Sequence, residues 1–163
     1  MKDLRLLVCA VSMMAMPAWG AEFKDTKFGY SVTAPDFPGP PSGNVAMRLN
    51  VLASPVDGFA PNMNVMIQEL GITREEFMAR SVRQFVETGM TLRSAKNRDV
   101  SGRPAVLVDY EGQVRGHNLR FLQLAVFLPQ RVLLLTYTAT ASTFAGHEAE
   151  FRRSLDTFKL TSR

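Results

Sequence analysis

The stretch that decides the fold runs from residue 104 to residue 140, PAVLVDYEGQVRGHNLRFLQLAVFLPQRVLLLTYTAT. Three runs rich in apolar and β-forming residues lie in it, at Pro104–Glu111, His117–Leu128 and Arg131–Thr140. The connections between them, Gly112–Gly116 and Pro129–Gln130, are too short for the crossover that a parallel return needs. The stretch therefore predicts three neighbouring antiparallel strands.

Four further strands are predicted upstream, at Phe28–Thr33, Asn44–Ala53, Asn62–Leu70 and Thr91–Val100. The second of them alternates with period two, which puts one set of side chains on a buried face. That set is Val45, Met47, Leu49 and Val51. The segment Thr91–Val100 is polar, so we expect it near an edge of the sheet.

A helix is predicted after the strand at 62–70. Thr73 with Glu76 three residues later forms a capping box, and Gly89 is a natural stop. The spacing i, i+4, i+7 and i+8 predicts one apolar stripe that faces the sheet. Its members are Met78, Val82, Phe85 and Val86.

A second helix is predicted over Thr143–Asp156, with Phe144, Phe151 and Leu155 on its inner face. The order is then three strands, a helix, four strands and a helix. Runs of strands interrupted by single helices favour an α+β domain built on an antiparallel sheet of about six to seven strands.

The first twenty residues predict export. Lys2 and Arg5 precede an apolar run of 11 residues, Leu6–Met16, which is too short to span a bilayer. Small residues before a cut after Gly20 fit a secretory cleavage site. We therefore expect a cleavable signal peptide at 1–20, a single domain at 21–163 without a transmembrane segment, and a periplasmic or secreted location.

The only cysteine, Cys9, lies inside this signal, so the mature domain is expected to have no disulfide and no thiolate chemistry. Lipidation of Cys9 is the alternative, but Val8 stands where a small residue is expected. The formal net charge is +4, and the basic residues are scattered along the chain. Their densest group is Arg93–Arg98, a solvated segment, so no nucleic-acid partner is expected.

No catalytic motif is present, and His117 and His147 are the only histidines. His147 lies one turn after Phe144 and is interpreted as a partly buried packing residue, whereas His117 is expected to be exposed beside a turn. A hairpin centred near Val114 would put Asp109 roughly opposite Leu119. That arrangement leaves a carboxylate–histidine pair open as a hydrolase hypothesis.

Metal and cofactor sites are not expected either. Asp57-Gly58 lacks the regular acidic ligands and the closing glutamate of a calcium loop, so it is interpreted as a turn. Glu75 and Glu76 are adjacent on a helix and diverge by about 100°, which suits the helix end better than a catalytic pair.

The remaining sequence feature that could indicate a binding site is a small set of apolar side chains on otherwise polar segments. Most methionines are interpreted as core filling, but Met66 lies on the polar side of its strand. Phe59 is flanked by turn residues. It is either a contact residue for a partner or a plug over the sheet edge, and the sequence leaves both open.

Three segments together resemble the DcrB-like domain of the Mog1/PsbP-like fold group. They are Phe28-Gly29-Tyr30-Ser31-Val32 followed by Pro35, the stretch Gly58–Val65, and Thr136-Tyr137-Thr138-Ala139 before the last helix. The resemblance implies a three-layer α/β/α sandwich around an antiparallel sheet. It also implies a non-enzymatic accessory or adaptor protein without cofactors.

The leading hypothesis is an exported protein that binds a protein partner in the cell envelope. The loop residues Asp57, Phe59, Pro61 and Asn62 are its candidate contact surface, with Thr91–Val100 as a possible extension. The rival hypothesis is a binder of a small apolar or lipid-like ligand, held between sheet and helix by Met and Phe side chains. An open apolar cavity would favour the rival.

Overall fold

A computed structural model describes residues 20–45 and 47–161. The predicted signal peptide and Cys9 lie outside the described residues, apart from Gly20 at the predicted cleavage site. The strands are β1 (Glu22–Asp25), β2 (Tyr30–Thr33), β3 (Met47–Leu52), β4 (Asn62–Gln68), β5 (Thr91–Val100), β6 (Arg103–Val114), β7 (His117–Leu128), β8 (Arg131–Thr140) and β9 (Lys159–Leu160). The helices are α1 (Arg74–Thr88) and α2 (Phe144–Asp156).

The strands form two antiparallel sheets. The large one has six strands in the order β3-β4-β8-β7-β6-β5, and the small one has three in the order β1-β2-β9. The three predicted neighbours β6, β7 and β8 lie in the middle of the large sheet, and β5 is at its edge, as predicted. The fold is α+β, with α1 on one face of the large sheet and α2 with the small sheet on the other.

The face that meets α2 holds the main core. Leu49, Val65, Leu122 and Leu135 on the sheet pack with other buried side chains from α2 and β2. Those side chains are Phe144, Phe151, Leu155, Tyr30 and Val32. The inner face predicted for the second helix is therefore confirmed.

Polar contacts also attach α2 to the two sheets. The Thr33 backbone N–H donates to Thr157 Oγ1 at 2.8 Å, and the Ser154 hydroxyl donates to the Thr33 carbonyl. Arg120 on β7 forms salt bridges to Asp109 on β6 at 2.7 Å and to Glu148 on α2 at 3.7 Å. Hydrogen bonding to Asp109 raises the pKa of Arg120 above its already high ordinary value.

Helix α1 begins and ends as predicted. The Glu76 N–H donates to Thr73 Oγ1 at 3.2 Å, and the Thr73 N–H donates to Glu76 Oε2 at 2.8 Å. Gly89 terminates the helix at φ 69°, the left-handed conformation that glycine adopts without strain. The Thr73 backbone N–H and the Thr73 hydroxyl, which donates to Glu76 Oε2 at 3.1 Å, together lower the pKa of Glu76.

The predicted stripe of α1 is wrong in its orientation. Phe77, which the periodic assignment omitted, is the one residue of this helix that is buried. Met78 and Phe85 pack partly against the sheet, while Val82 and Val86 are 43% and 78% exposed. The physical reason is the rotation of the helix: at 3.6 residues per turn Phe77 lies about 80° beyond the Phe85 edge of the stripe, so that side faces the sheet and the Val86 edge turns to solvent.

Two strand predictions were too long at their N-terminal ends. β2 begins at Tyr30, because Gly29 has φ 72° and closes the turn after β1. β3 begins at Met47, and the pairing with β4 shifts between Met47 and Leu49, so that the alternation predicted from Asn44 is broken by a bulge. Val45 is 89% exposed as a result.

Candidate functional site

The predicted contact loop joins β3 to β4 and is internally hydrogen bonded. Val56 and Phe59 exchange backbone hydrogen bonds of 2.8 and 3.0 Å around a turn at Asp57 (φ 49°) and Gly58 (φ 78°). Asp57 is exposed, whereas Pro61 is buried and its carbonyl accepts the Ala53 N–H at 2.8 Å. The four predicted residues therefore lie in one compact segment, but they do not share one exposed surface.

Phe59 in this loop is half-buried rather than free. Its ring lies 5.7 Å from the ring of His117, centroid to centroid, so the loop covers the start of β7. His117, which the sequence predicted to be exposed, is half-buried by this contact. Asn62, beside the loop, uses its Nδ2 to donate to the Ala60 carbonyl at 3.1 Å.

The histidine–carboxylate pair does not form. The register pairs Val114 with His117 and Asp109 with Leu122, so the prediction that Asp109 lies opposite Leu119 is wrong. The hairpin turns at Arg115 and Gly116, one residue later than assumed, and five residues of strand separate His117 from Leu122, roughly 17 Å at the strand rise. Asp109 instead pairs with Arg120. His147 stacks on Phe151 at 5.7 Å, as its packing interpretation predicts.

A groove lies between α1 and the sheet. Its volume is about 460 Å³. The apolar part of its wall consists of Met66, Leu70, Ile72, Phe77, Phe85, Met90, Tyr110, Phe121 and Leu134. Uncharged polar groups and one arginine complete it: Gln68, Ser81, Gln84, Thr88, Gln123 and Arg80.

Stacked aromatic rings hold one wall of this α1 groove. Phe85 lies 4.6 Å from Tyr110, and Tyr110 lies 4.8 Å from Phe121, both centroid to centroid. Burial raises the pKa of Tyr110 to about 12, so its hydroxyl stays neutral at physiological pH. The stack packs the C-terminal half of α1 against β6 and β7.

Met66, which the sequence analysis placed on the polar side of its strand, lines the α1 groove. Its register partners are Met47 on β3 and Leu134 on β8, which makes an apolar row on a face that is otherwise polar along β4. The remaining lining residues come from five separated segments. No local pattern connects those segments, so the sequence could mark Met66 as unusual but could not locate the groove.

The outer side of α1 is the second apolar feature of this face. Val82 and Val86 point away from the sheet, and Leu92 at the start of β5 is 38% exposed. Within residues 20–45 and 47–161, no helix is long and apolar enough to cross a membrane. The same residues contain no group of three His, Cys, Asp or Glu side chains that could hold a metal ion.

Solved structures share this arrangement of sheets and helices. A Pseudomonas aeruginosa protein of unknown function, PA94, is 20% identical with a TM-score of 0.61, over 88% of this chain and 96% of its own. Cyanobacterial PsbP from Synechocystis sp. PCC 6803 is 14% identical with a TM-score of 0.65, over 86% and 91% of the two chains. LpqN, involved in cell envelope biogenesis of Mycobacterium tuberculosis, is 14% identical with a TM-score of 0.52, over 82% and 91%.

These likenesses establish that the chain has the Mog1/PsbP-like fold. At such low identity they establish the fold alone. No protein-family model matches the chain, and no curated protein matches it in sequence.

Proposed function

We propose that the chain is an exported, non-enzymatic accessory or adaptor protein of the DcrB-like kind that binds a protein partner in the cell envelope. The observation that carries the proposal is the outer side of α1, where Val86 is 78% exposed and Val82 is 43% exposed on one helix face. Val82 and Val86 are one helical turn apart and so form a contiguous patch, and contiguous exposed apolar patches are a mark of protein contact sites.

The proposed location is the periplasm, or the extracellular space, after cleavage near Gly20. It is supported by the basic start, the short apolar run and the small residues before Ala21. One protein of similar fold, LpqN, is described as involved in cell envelope biogenesis, which agrees with this location.

Two surfaces compete for the partner contact. One is the outer side of α1. The other is the loop with Asp57, Phe59, Pro61 and Asn62, in which Val56 is 42% exposed and the Phe59 ring is half-covered by His117. The α1 side offers more apolar surface, so we assign the contact to it first.

Crosslinking in living cells, followed by intact mass measurement of the periplasmic protein, tests the proposal. We expect a chain that begins at Ala21 and carries a discrete protein adduct. Val86→Lys should remove the adduct, because a charge in an apolar contact has to be desolvated. Ala145→Lys, on the exposed side of α2, is the matched control and should keep it.

Three results would contradict parts of this proposal. An unprocessed chain would refute export, and a processed chain without any adduct would refute the protein partner. Phe59→Ala separates the two surfaces. Loss of the adduct in Phe59→Ala but not in Val86→Lys would move the contact to the loop.

A small apolar or lipid-like ligand is the second candidate, and the α1 groove favours it. A volume of about 460 Å³ falls within the range of small-molecule sites. N-phenylnaphthylamine should fluoresce when it enters the groove, and Met66→Trp should abolish the signal by filling it. An unchanged signal in Met66→Trp would contradict this second candidate.

A further inference from the structure

A second cavity lies at the end of the molecule where three turns meet. The turns are 26–29 between β1 and β2, 101–102 between β5 and β6, and 129–130 between β7 and β8. Together with the segment after β9 they bound an open cleft of about 550 Å³. Neither the predicted contact loop nor the α1 groove shares a residue with this turn cleft.

Arg103 and Arg131 line this turn cleft, and Lys27 and Arg48 lie over the ring of Phe28, which is also part of its wall. Three of them surround the Phe28 ring, with distances to its centroid of 5.3 Å for Lys27 Nζ, 5.1 Å for Arg48 Cζ and 5.4 Å for Arg131 Cζ. Arg103 lines the same cleft. Cations at this distance are attracted to the ring, but they repel one another.

The carboxylate of Asp25 neutralises part of this charge. Asp25 is buried and holds Arg48 at 3.0 Å, and its other oxygen accepts the backbone N–H groups of Lys27 and Phe28. In the part of the chain that the structure describes, neither Arg103 nor Arg131 forms a salt bridge. These two arginines therefore add positive charge to the turn cleft, which attracts an anionic partner.

Apolar groups lie among these cations. Phe28, Leu128 and Leu160 are half-buried in the wall of the turn cleft, and Pro129 is exposed at its rim. A free phosphate ion would need only the charges. Cations mixed with apolar side chains match the boundary of an anionic phospholipid layer, where headgroups meet acyl chains.

We infer that this cleft binds the surface of a membrane that contains anionic phospholipids, with Arg103 and Arg131 contacting the phosphate groups. This membrane contact is separate from the contact with the proposed protein partner. Because the outer side of α1 and the turn cleft share no residue, a protein partner on α1 and a membrane at the turns can be bound independently.

Vesicle binding by the purified protein tests the inference. One set of vesicles is pure phosphatidylcholine, and the other contains about one-third phosphatidylglycerol. The double variant Arg103→Gln/Arg131→Gln should lower partitioning onto the anionic vesicles by about fivefold for each residue, or about 25-fold together. Arg83→Gln/Arg152→Gln removes the same charge from exposed positions on the two helices and should bind as the wild type does.

Several results would overturn it. Equal losses in both double variants would mean that net charge alone attracts the membrane, and equal binding to both kinds of vesicle would mean that the contact is not anionic. Absence of binding to either kind would refute the membrane partner. Saturable binding of inorganic phosphate, measured by calorimetry, without vesicle binding would reassign the cleft to a soluble anion. Circular dichroism checks that each variant is folded.

Discussion

The two faces of the large sheet are packed differently, although each carries one helix. On the α2 face, Phe144 and Phe151 are fully buried, and Arg120 connects the sheet to the helix through Glu148. On the α1 face, Phe77 is the only buried residue of the helix, and a groove of about 460 Å³ remains beneath it. The α2 face is therefore packed more completely than the α1 face, which leaves a groove open.

Replacing one aromatic residue on each helix should test this difference in packing most directly. Phe151 is fully buried and contacts the rings of Phe37, Tyr137, Phe144 and His147. Phe151→Ala should lower the free energy of unfolding by about 3–5 kcal/mol. Phe85→Ala removes a half-buried ring beside the groove and should cost only ~1–2 kcal/mol. Urea unfolding measures both, and equal costs would show that the α1 face is packed as firmly as the α2 face.

The ion pair on the α2 face gives the next largest effect. Asp109→Ala leaves the guanidinium of Arg120 partly buried beside Glu148, so we expect a loss of ~2–3 kcal/mol in urea unfolding. Glu111→Ala, which removes a more exposed partner of Arg93, is the control and should change stability by about 0.5 kcal/mol or less. If Asp109→Ala lost no more stability than this control, the ion pair would not contribute to holding α2 on the sheet.

The N-terminal cap of α1 offers a smaller change. Thr73→Ala removes the acceptor of the Glu76 N–H and should cost about 1 kcal/mol in urea unfolding. Thr73→Ser keeps a hydroxyl acceptor at the same position, so it is the matched control for the cap. If Thr73→Ser lost as much stability as Thr73→Ala, capping would not be the cause.

The same cap should make α1 sensitive to acid. Because the pKa of Glu76 is lower in the folded chain than in the unfolded chain, its charge stabilises the fold above the unfolded value of about 4.3. That stabilisation is lost as the pH falls through the folded pKa. Glu76→Gln should therefore be less stable than the wild type at neutral pH, and the difference should shrink below about pH 4. A difference that stays constant with pH would contradict this.

The smallest effect on stability is expected on the outer side of α1. Val86→Ala should change the free energy of unfolding by about 0.5 kcal/mol or less, because the side chain is 78% exposed. A substantial loss would show that Val86 supports the fold, and its exposure would then no longer favour a binding surface.

Predictions from the sequence succeeded where the signal is local. The capping box at Thr73, the stop at Gly89, the three antiparallel neighbours β6, β7 and β8 and the edge position of β5 all depend on residues close together in the chain. They failed where packing decides, as in the orientation of Val82 and Val86 and in the register of Asp109. The apolar stripe of a helix limits which of its sides can face the core. The surface on which the helix packs then fixes the rotation of the helix about its own axis.

By itself, the sequence determined the α+β class, because periodicity, caps and short hairpin connections act within a few residues. The tertiary structure alone brought Lys27, Arg48, Arg103 and Arg131 together, although they are scattered along the chain. It also opened the groove beneath α1 from five separate segments. Strand pairing between distant segments depends on the packing of the whole core, so a local sequence pattern does not predict which loops will lie side by side.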